Sequence, residues 1–522
     1  MKGRLCKVCF MNRRSQKGSE TGPASGVILL LLLAVGLVVA SAAVKADLSG
    51  NGQAASTQKL SGQMPADFQR EVDRVVAELD QIENDTLRQM DKGRLDRQGQ
   101  IRTLGKLLLF DKHLSVNQNE ACSFCHTPET GFTGPIASLN LTTVSYPSSV
   151  RTRFSNRKPQ SYMYAPFSPV LHYNELQGDF VGGNFWDMRA TGYRLQSPSA
   201  EQAQGPPTNP VEMGLPDSAC IAYRLSHAPY RRLFEMVWGA DSFAIHWPSD
   251  VERVCSTPRP PAANDEWPVH LGAQDRARAD HVYDGFGLAI SAYELSPEVS
   301  PFTSKFDYVQ AGKARFTPQE TLGYELFRGK ARCNECHRDG GPGEEPLFTD
   351  FTSSNLGVPR NPAVQIYFEG SPDQSGYTPN PAGMSYVDPG VGGFLLRRKS
   401  LSGQLNPDSE WIKRAPQFAG KFRVPTLRNV DMRPRADFVK AYMHNGYFKT
   451  LKEVVHFYNT RDVLPRCETG ASGERVSCWP APENPTNVNR RQLGNLGLTE
   501  QEEAALVSFL RTLTDGYSMP RQ

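Results

Sequence analysis

Apolar residues return every three or four positions between Pro65 and Met90, at Phe68, Val72, Val75, Leu79 and Ile82. That period predicts an amphipathic helix with one face on the body of the protein. Two further apolar runs share a lead-in, Leu104-Gly-Lys-Leu-Leu-Leu-Phe110 and Leu322-Gly-Tyr-Glu-Leu-Phe327. They read as helices of an internal repeat. Thr317, Pro318 and Glu320 form a helix start, and Thr450-Leu-Lys-Glu453 and Thr499-Glu-Gln-Glu502 are capping boxes. Residues 256–268, 338–410 and 464–490 are rich in Pro, Gly, Ser and Asn and read as loops. The middle one is long for a compact domain, which predicts a functional surface or a cover over a site.

At the N-terminus, Lys2, Arg4, Lys7, Arg13, Arg14 and Lys17 precede an uncharged run from Gly22 to Val44 whose apolar heart is Val27 to Ala40. Small residues follow, ending at Ala46. These are the parts of a secretory signal peptide. The heart is shorter than the ~20 residues of a membrane span. Residues 1–46 therefore read as a cleaved leader; an uncleaved membrane anchor is the alternative. Cleavage would place the mature chain in the periplasm.

Composition narrows the class. The chain has 522 residues, 39% of them hydrophobic, enough to bury a core and exclude global disorder. A net charge of +3 gives no reason to expect nucleic acid as a partner. Gly and Pro number 44 and 39, which favours short elements and many loops over a large regular sheet.

Cysteine spacing carries the chemistry. Cys6 and Cys9 lie in the leader and are set aside. Cys122-Ser-Phe-Cys125-His126 and Cys333-Asn-Glu-Cys336-His337 are two copies of CxxCH, the attachment pattern of c-type haem. Two thiols add to the vinyl groups of one porphyrin, and the adjacent His reaches the iron. A zinc or thioredoxin-like site would not require His at the same place twice behind an export signal. Two covalently bound haems are expected, in two units, because the motifs stand too far apart for one small cytochrome domain. The remaining Cys220, Cys255, Cys467 and Cys478 suggest two disulfides in an oxidising compartment. Sequence proximity favours Cys220–Cys255 and Cys467–Cys478, although three pairings are open.

With these motifs in place, the chain resembles the bacterial di-haem cytochrome c peroxidase/MauG family over roughly residues 100–515. The matching blocks are LGKLLLFDKHLS, GGNFWDMRATG, EQAQGPPTNPVEMG, FRVPTLRNV and AYMHNGYFKTLKEVVHFYN, beside both CxxCH motifs. The resemblance implies a mainly α fold of two cytochrome c-like haem domains with long loops and an N-terminal extension. The boundaries are 1–46 leader, 47–98 helical extension, 99–310 peroxidatic haem domain and 311–522 electron-transfer haem domain. It implies His126 and His337 as proximal ligands, Glu212 as distal acid/base, Gln202 as distal amide and Trp186 as the tryptophan between the haems. The spacing from Trp186 to Gln202 is six residues longer than in the family, with the extra residues near Gln196–Ser199. The family also holds a calcium ion between the haems through an Asn side chain and two carbonyls. Asn156, Val439 and Ala441 would supply these, but the usual N-x-P is N-R-K-P here, one residue longer.

Axial ligands define the subclass. Where many members place a blocking His on the first haem, this chain has Thr142, and no His occurs between His126 and His172. The first haem is therefore expected to be open, with Met163 or His172 as alternative blocking ligands. At the second haem, Tyr458 occupies the position of the usual Met, a MauG-like pattern; Met443 and His456 are rivals. His444 reads as a hydrogen-bonding scaffold residue. The expected function is reduction of hydrogen peroxide, with oxidising equivalents passed to a small redox protein or to a protein side chain. A non-catalytic di-haem electron-transfer cytochrome is the alternative.

Overall fold

A computed structural model describes residues 66–90, 95–258, 268–341, 343–397 and 409–519. The leader, residues 1–46, lies outside the described residues. The described chain is mainly helical, with four short strands in two antiparallel pairs, His172–Asn174 with Asp179–Val181 and Ser353–Ser354 with Phe422–Arg423. Among the described residues, no helix is long and apolar enough to cross a membrane.

Two helix crossings organise the fold. Arg97–Phe110 packs on Ala273–Glu294, and Pro318–Arg328 packs on Glu500–Arg511. Each crossing is made by the glycine of the repeated lead-in. A Cβ on Gly105 would lie 2.0 Å from the Ala289 carbonyl oxygen and 2.9 Å from Tyr293 Cβ. A Cβ on Gly323 would lie 2.0 Å from the Ala505 carbonyl oxygen and 2.8 Å from Phe509 Cβ. Only glycine lets the two backbones approach this closely. Both obstacles include backbone, which cannot rotate aside. Gly323→Ala should therefore exceed the usual ~1–3 kcal/mol overpacking cost. Denaturant unfolding of the haem-loaded protein checks this; an unchanged midpoint would refute it.

Caps fix where these helices begin. Asp96 accepts from the Gly99 amide, and Thr317 and Glu320 form the predicted reciprocal box. Thr450–Glu453 and Thr499–Glu502 do the same for their helices. Ala66–Met90 is one helix, and Val72, Val75 and Leu79 are buried on the expected face.

One apolar core gathers Leu104, Leu107 and Leu108 with Phe286 and Ile290. A second gathers Phe327, Phe348, Phe457, Trp479 and Phe509. A smaller cluster joins Leu171, Phe180 and Met188 to Val391, Phe394 and Trp411. That cluster corrects part of the loop reading for 338–410. Gly390–Leu395 and Ser409–Arg414 are short helices, and the former buries Val391, Phe394 and Leu395. The flanking Pro and Gly masked a run too short to show a helical period. Disulfides join Cys220 to Cys255 and Cys467 to Cys478.

The repeat extends beyond the lead-ins. Asn184 pairs with Ala190 and Tyr442 with Phe448, closing two turns of equal length. Phe185 and Met188 in the first, and Met443 and Gly446 in the second, have positive φ. The third residue of each turn is an aromatic ring, Trp186 or His444, and these rings meet edge-on with centroids 6.5 Å apart.

Candidate active site

Each CxxCH motif opens on a cavity. The first, of about 230 Å³, is lined by Cys122, Cys125 and His126; the second, of about 190 Å³, by Cys333, Cys336 and His337. All four thiols are free of disulfides. His126 Nδ1 donates to the Phe132 carbonyl at 2.9 Å, and His337 Nδ1 donates to the Phe348 carbonyl at 2.9 Å. A carbonyl only accepts, so Nδ1 carries the proton and Nε2 keeps its lone pair, as a metal-ligating imidazole requires. Phe132 and Phe348 both sit at positive φ, which turns their carbonyls toward the ring. Burial pushes the His126 pKa down to about 4 and lowers that of His337, so both imidazoles stay neutral.

Buried polar atoms without partners mark what else the cavities lack. Arg423 borders both cavities, and its Nε is buried and unpaired. Burial lowers its pKa to about 10. His444 Nε2 at the second cavity and Glu294 Oε2 at the first are also orphaned. Lys158, at the first cavity, has its pKa pushed down to about 7 by burial. Lys158 and Arg423 occupy equivalent places: Thr133 Oγ1 donates to the carbonyl after one, and Thr349 Oγ1 to the carbonyl after the other. Lys158 Nζ donates to Thr133 Oγ1 and the Pro159 carbonyl, and among the described residues neither it nor Arg423 has a carboxylate at ion-pair distance. Such basic groups suit the propionates that a haem carries. Free thiol pairs, neutral ligand-ready imidazoles and these basic side chains together fit one haem per cavity. Sequence reading missed Lys158 and Arg423; the signal was the repeat, Lys-Pro against Arg-Val-Pro.

Glu212, Gln202 and Trp186 all border the first cavity. Asn209 Nδ2 donates to Glu212 Oε1 at 2.8 Å, within the turn that follows the one-turn helix Gly205–Thr208. Burial raises the Glu212 pKa, while Arg189 and the Asn209 bond oppose the rise. Gln202 lies on the helix Pro198–Ala203, capped by Ser197. Between Trp186 and Gln202, residues 191–195 wrap the buried Glu201 carboxylate, which accepts from the amides of Gly192, Arg194 and Leu195. Trp186 also borders the second cavity, and its Nε1 donates to the Lys158 carbonyl at 3.0 Å.

Among the described residues, His126 is the only histidine at the first cavity. Thr142 and His172 are exposed and away from it, whereas Met163 borders it and its sulfur accepts from Asn429 Nδ2. Tyr458 and Met443 both border the second cavity. His456 does not: Nδ1 is held by Glu503 at 3.1 Å, and Nε2 lies 3.0 Å from the Val476 carbonyl. Tyr442 also reaches the second cavity, but its hydroxyl donates to Asp431.

The calcium donors fare differently. Asn156 reaches the first cavity, but the Val439 carbonyl already accepts from Asn140 Nδ2 at 3.1 Å. Between Val439 and Ala441 stands the buried Lys440. Calcium binds six to eight oxygens. A donor set whose Val439 carbonyl already accepts a hydrogen bond, with the Lys440 ammonium between its two carbonyl residues, does not fit it.

Comparison with known proteins gives the family. The profile of the di-haem cytochrome c peroxidase family matches residues 100–315. The methylamine utilization protein MauG of Paracoccus denitrificans is 32% identical over 80% of this chain and 88% of its own length. The chain belongs to the di-haem cytochrome c peroxidase/MauG family, and it is an oxidoreductase of that class. The cytochrome-c peroxidase IdrP1 of Denitromonas iodatirespirans is 28% identical over 79% of this chain and 80% of its own. The crystal structure of the diheme peroxidase BthA from Burkholderia thailandensis shares the fold, with a TM-score of 0.58, 24% identity, and coverage of 81% of this chain and 90% of that one.

Proposed function

We propose that the protein is an exported peroxidase that consumes hydrogen peroxide at the first cavity and relays oxidising equivalents through the second. The carrying observation is the asymmetry of two otherwise repeated cavities: among the described residues the first has His126 as its only histidine and carries Glu212, oriented by Asn209, beside Gln202, while the second carries His337, His444 and Tyr458. Residues 99–310 and 311–522 are the two haem domains in this reading, and 47–98 the extension. The separate apolar cores support that division.

Haem bound through Cys122, Cys125 and His126 would supply the iron at which the peroxide O–O bond is cleaved. The chain supplies the proton traffic. Glu212 takes the proton from the oxygen nearest the iron and returns it to the departing oxygen, so one carboxyl serves as base and then acid. Asn209 fixes its orientation through Oε1. Gln202 provides an amide to orient peroxide. Trp186, bordering both cavities, shortens the path for an electron between them.

Haem bound through Cys333, Cys336 and His337 would be held also by Tyr458 in this proposal; a phenolate favours ferric or higher-valent iron, and a thioether favours ferrous. The electrons come from outside, from a small redox protein or from a side chain of a protein substrate. The basic, apolar and small-residue leader supports export to the periplasm. Rapid mixing of the ferric holoprotein with stoichiometric peroxide tests the scheme. Prompt loss of the ferric Soret band without prior reduction is expected. A ferric spectrum that does not change, before or after reduction, would overturn it.

A further inference from the structure

We infer that side-chain cations, Arg157 and Lys440, take the place of a divalent cation between the two haem cavities, so that the protein joins its halves without calcium. The inference is independent of the peroxide chemistry and needs only the two cavities.

Arg157 stands where the family-like Lys-Pro pair is entered, immediately after Asn156. Its side chain is 11% exposed and is bonded on every side. Nε and one terminal nitrogen donate to the two oxygens of Asp388 at 2.7 Å each, and the other terminal nitrogen donates to Asp187 at 2.9 Å. Asp187 follows Trp186, and Asp388 borders the second cavity. Arg189 closes the network on Asp187 at 2.9 Å. The guanidinium is therefore pinned beside the Trp186–His444 ring contact. It ties the first turn, which carries Asp187, to the segment that carries Asp388. A bidentate guanidinium–carboxylate pair gives the fixed geometry that a coordinated ion would otherwise impose.

Lys440, between Val439 and Ala441, does the same on the other side of the junction. Nζ donates to the carbonyls of Thr130, Asn429 and Met432 at 3.0, 3.0 and 2.8 Å. Burial, reinforced by Lys158, lowers its pKa. Three carbonyl acceptors nevertheless demand three N–H donors, which only the ammonium has. Thr130 belongs to the segment after the first CxxCH and Asn429 and Met432 to the one before the second turn, so the cation bridges the two halves. Lys449 adds a parallel tie, donating to the carbonyls of Asn140 and Gly446. The carboxylates nearest these cations, Asp187, Asp388 and Asp431, are already paired with arginines. None of the three is left to neutralise a divalent ion, and the Lys440 ammonium repels one.

Metal analysis of the holoprotein, gel-filtered from calcium-containing buffer, decides the matter. Iron without stoichiometric calcium is expected, with ferric absorption and EPR spectra unchanged by EGTA. Lys440→Met should lower the melting temperature by several degrees, and added calcium should not restore it. One equivalent of tightly held calcium, an EGTA-induced change in either haem's EPR signal, an unchanged melting temperature or rescue by calcium would each overturn the inference. The wild-type measurements suffice if the variant does not fold.

Discussion

Glu212→Gln should slow the reaction of ferric protein with peroxide by ~10²–10⁴-fold, the range expected when a positioned acid/base is lost. The substitution keeps the shape and the position 2.8 Å from Asn209 Nδ2, with the amide oxygen able to accept in place of Oε1. What it removes is the capacity to hold a proton and release it. The wild-type rate should also carry a pH dependence from this group. Burial raises its pKa, so the basic form gains population only above the usual carboxylate range, and the rate should rise with pH through that shifted value. The variant should lose this limb of the profile. Stopped-flow measurements across pH, with both ferric spectra recorded as controls, provide the test. An unchanged rate would exclude Glu212 from proton transfer and favour an electron-transfer cytochrome.

Much of this site was legible before any coordinates, for reasons specific to each residue. The CxxCH motifs are local: thioether attachment and iron ligation constrain five consecutive residues, so spacing alone reveals them. Helix starts at Thr317, Thr450 and Thr499 were legible because a capping box satisfies backbone amides within one turn. The lead-in glycines were visible as a repeat, but their purpose was not. It depends on helices Ala273–Glu294 and Glu500–Arg511, far along the chain.

Lys158, Arg157 and Arg423 escaped for the same reason. A lysine or arginine in sequence looks like solvated surface, and only the fold shows that these are buried at the cavities. The helix Gly390–Leu395 was hidden because its burial comes from Leu171, Phe180 and Met188. Tertiary contact, rather than local propensity, stabilises so short an element.

The electronic character of the second cavity rests on Tyr458. Replacement by Met should raise the reduction potential of that haem by more than about 0.1 V, within the ~0.8 V that axial ligands span. Tyr458 and Tyr442 are the phenols at this cavity, and Tyr442 is already bonded to Asp431. Tyr458 lies on the helix Leu451–Thr460, whose start is fixed by Thr450 and Glu453, so its side chain is presented from a rigid element. The two rivals differ in what holds them. His456 has both nitrogens engaged, whereas Met443 sits at positive φ in the tight turn between the cavities. If Met443 were the ligand, Tyr458→Met would leave the potential and the low-spin ferric EPR signal as they were, and Met443→Leu would alter both. If Tyr458 is the ligand, the responses reverse: Tyr458→Met stabilises ferrous iron and Met443→Leu leaves the low-spin signal intact. Spectroelectrochemical titration of the two variants separates these outcomes. The direction of the shift follows from replacing an anionic oxygen by a neutral sulfur, which withdraws negative charge from the ferric state and so favours the electron's arrival.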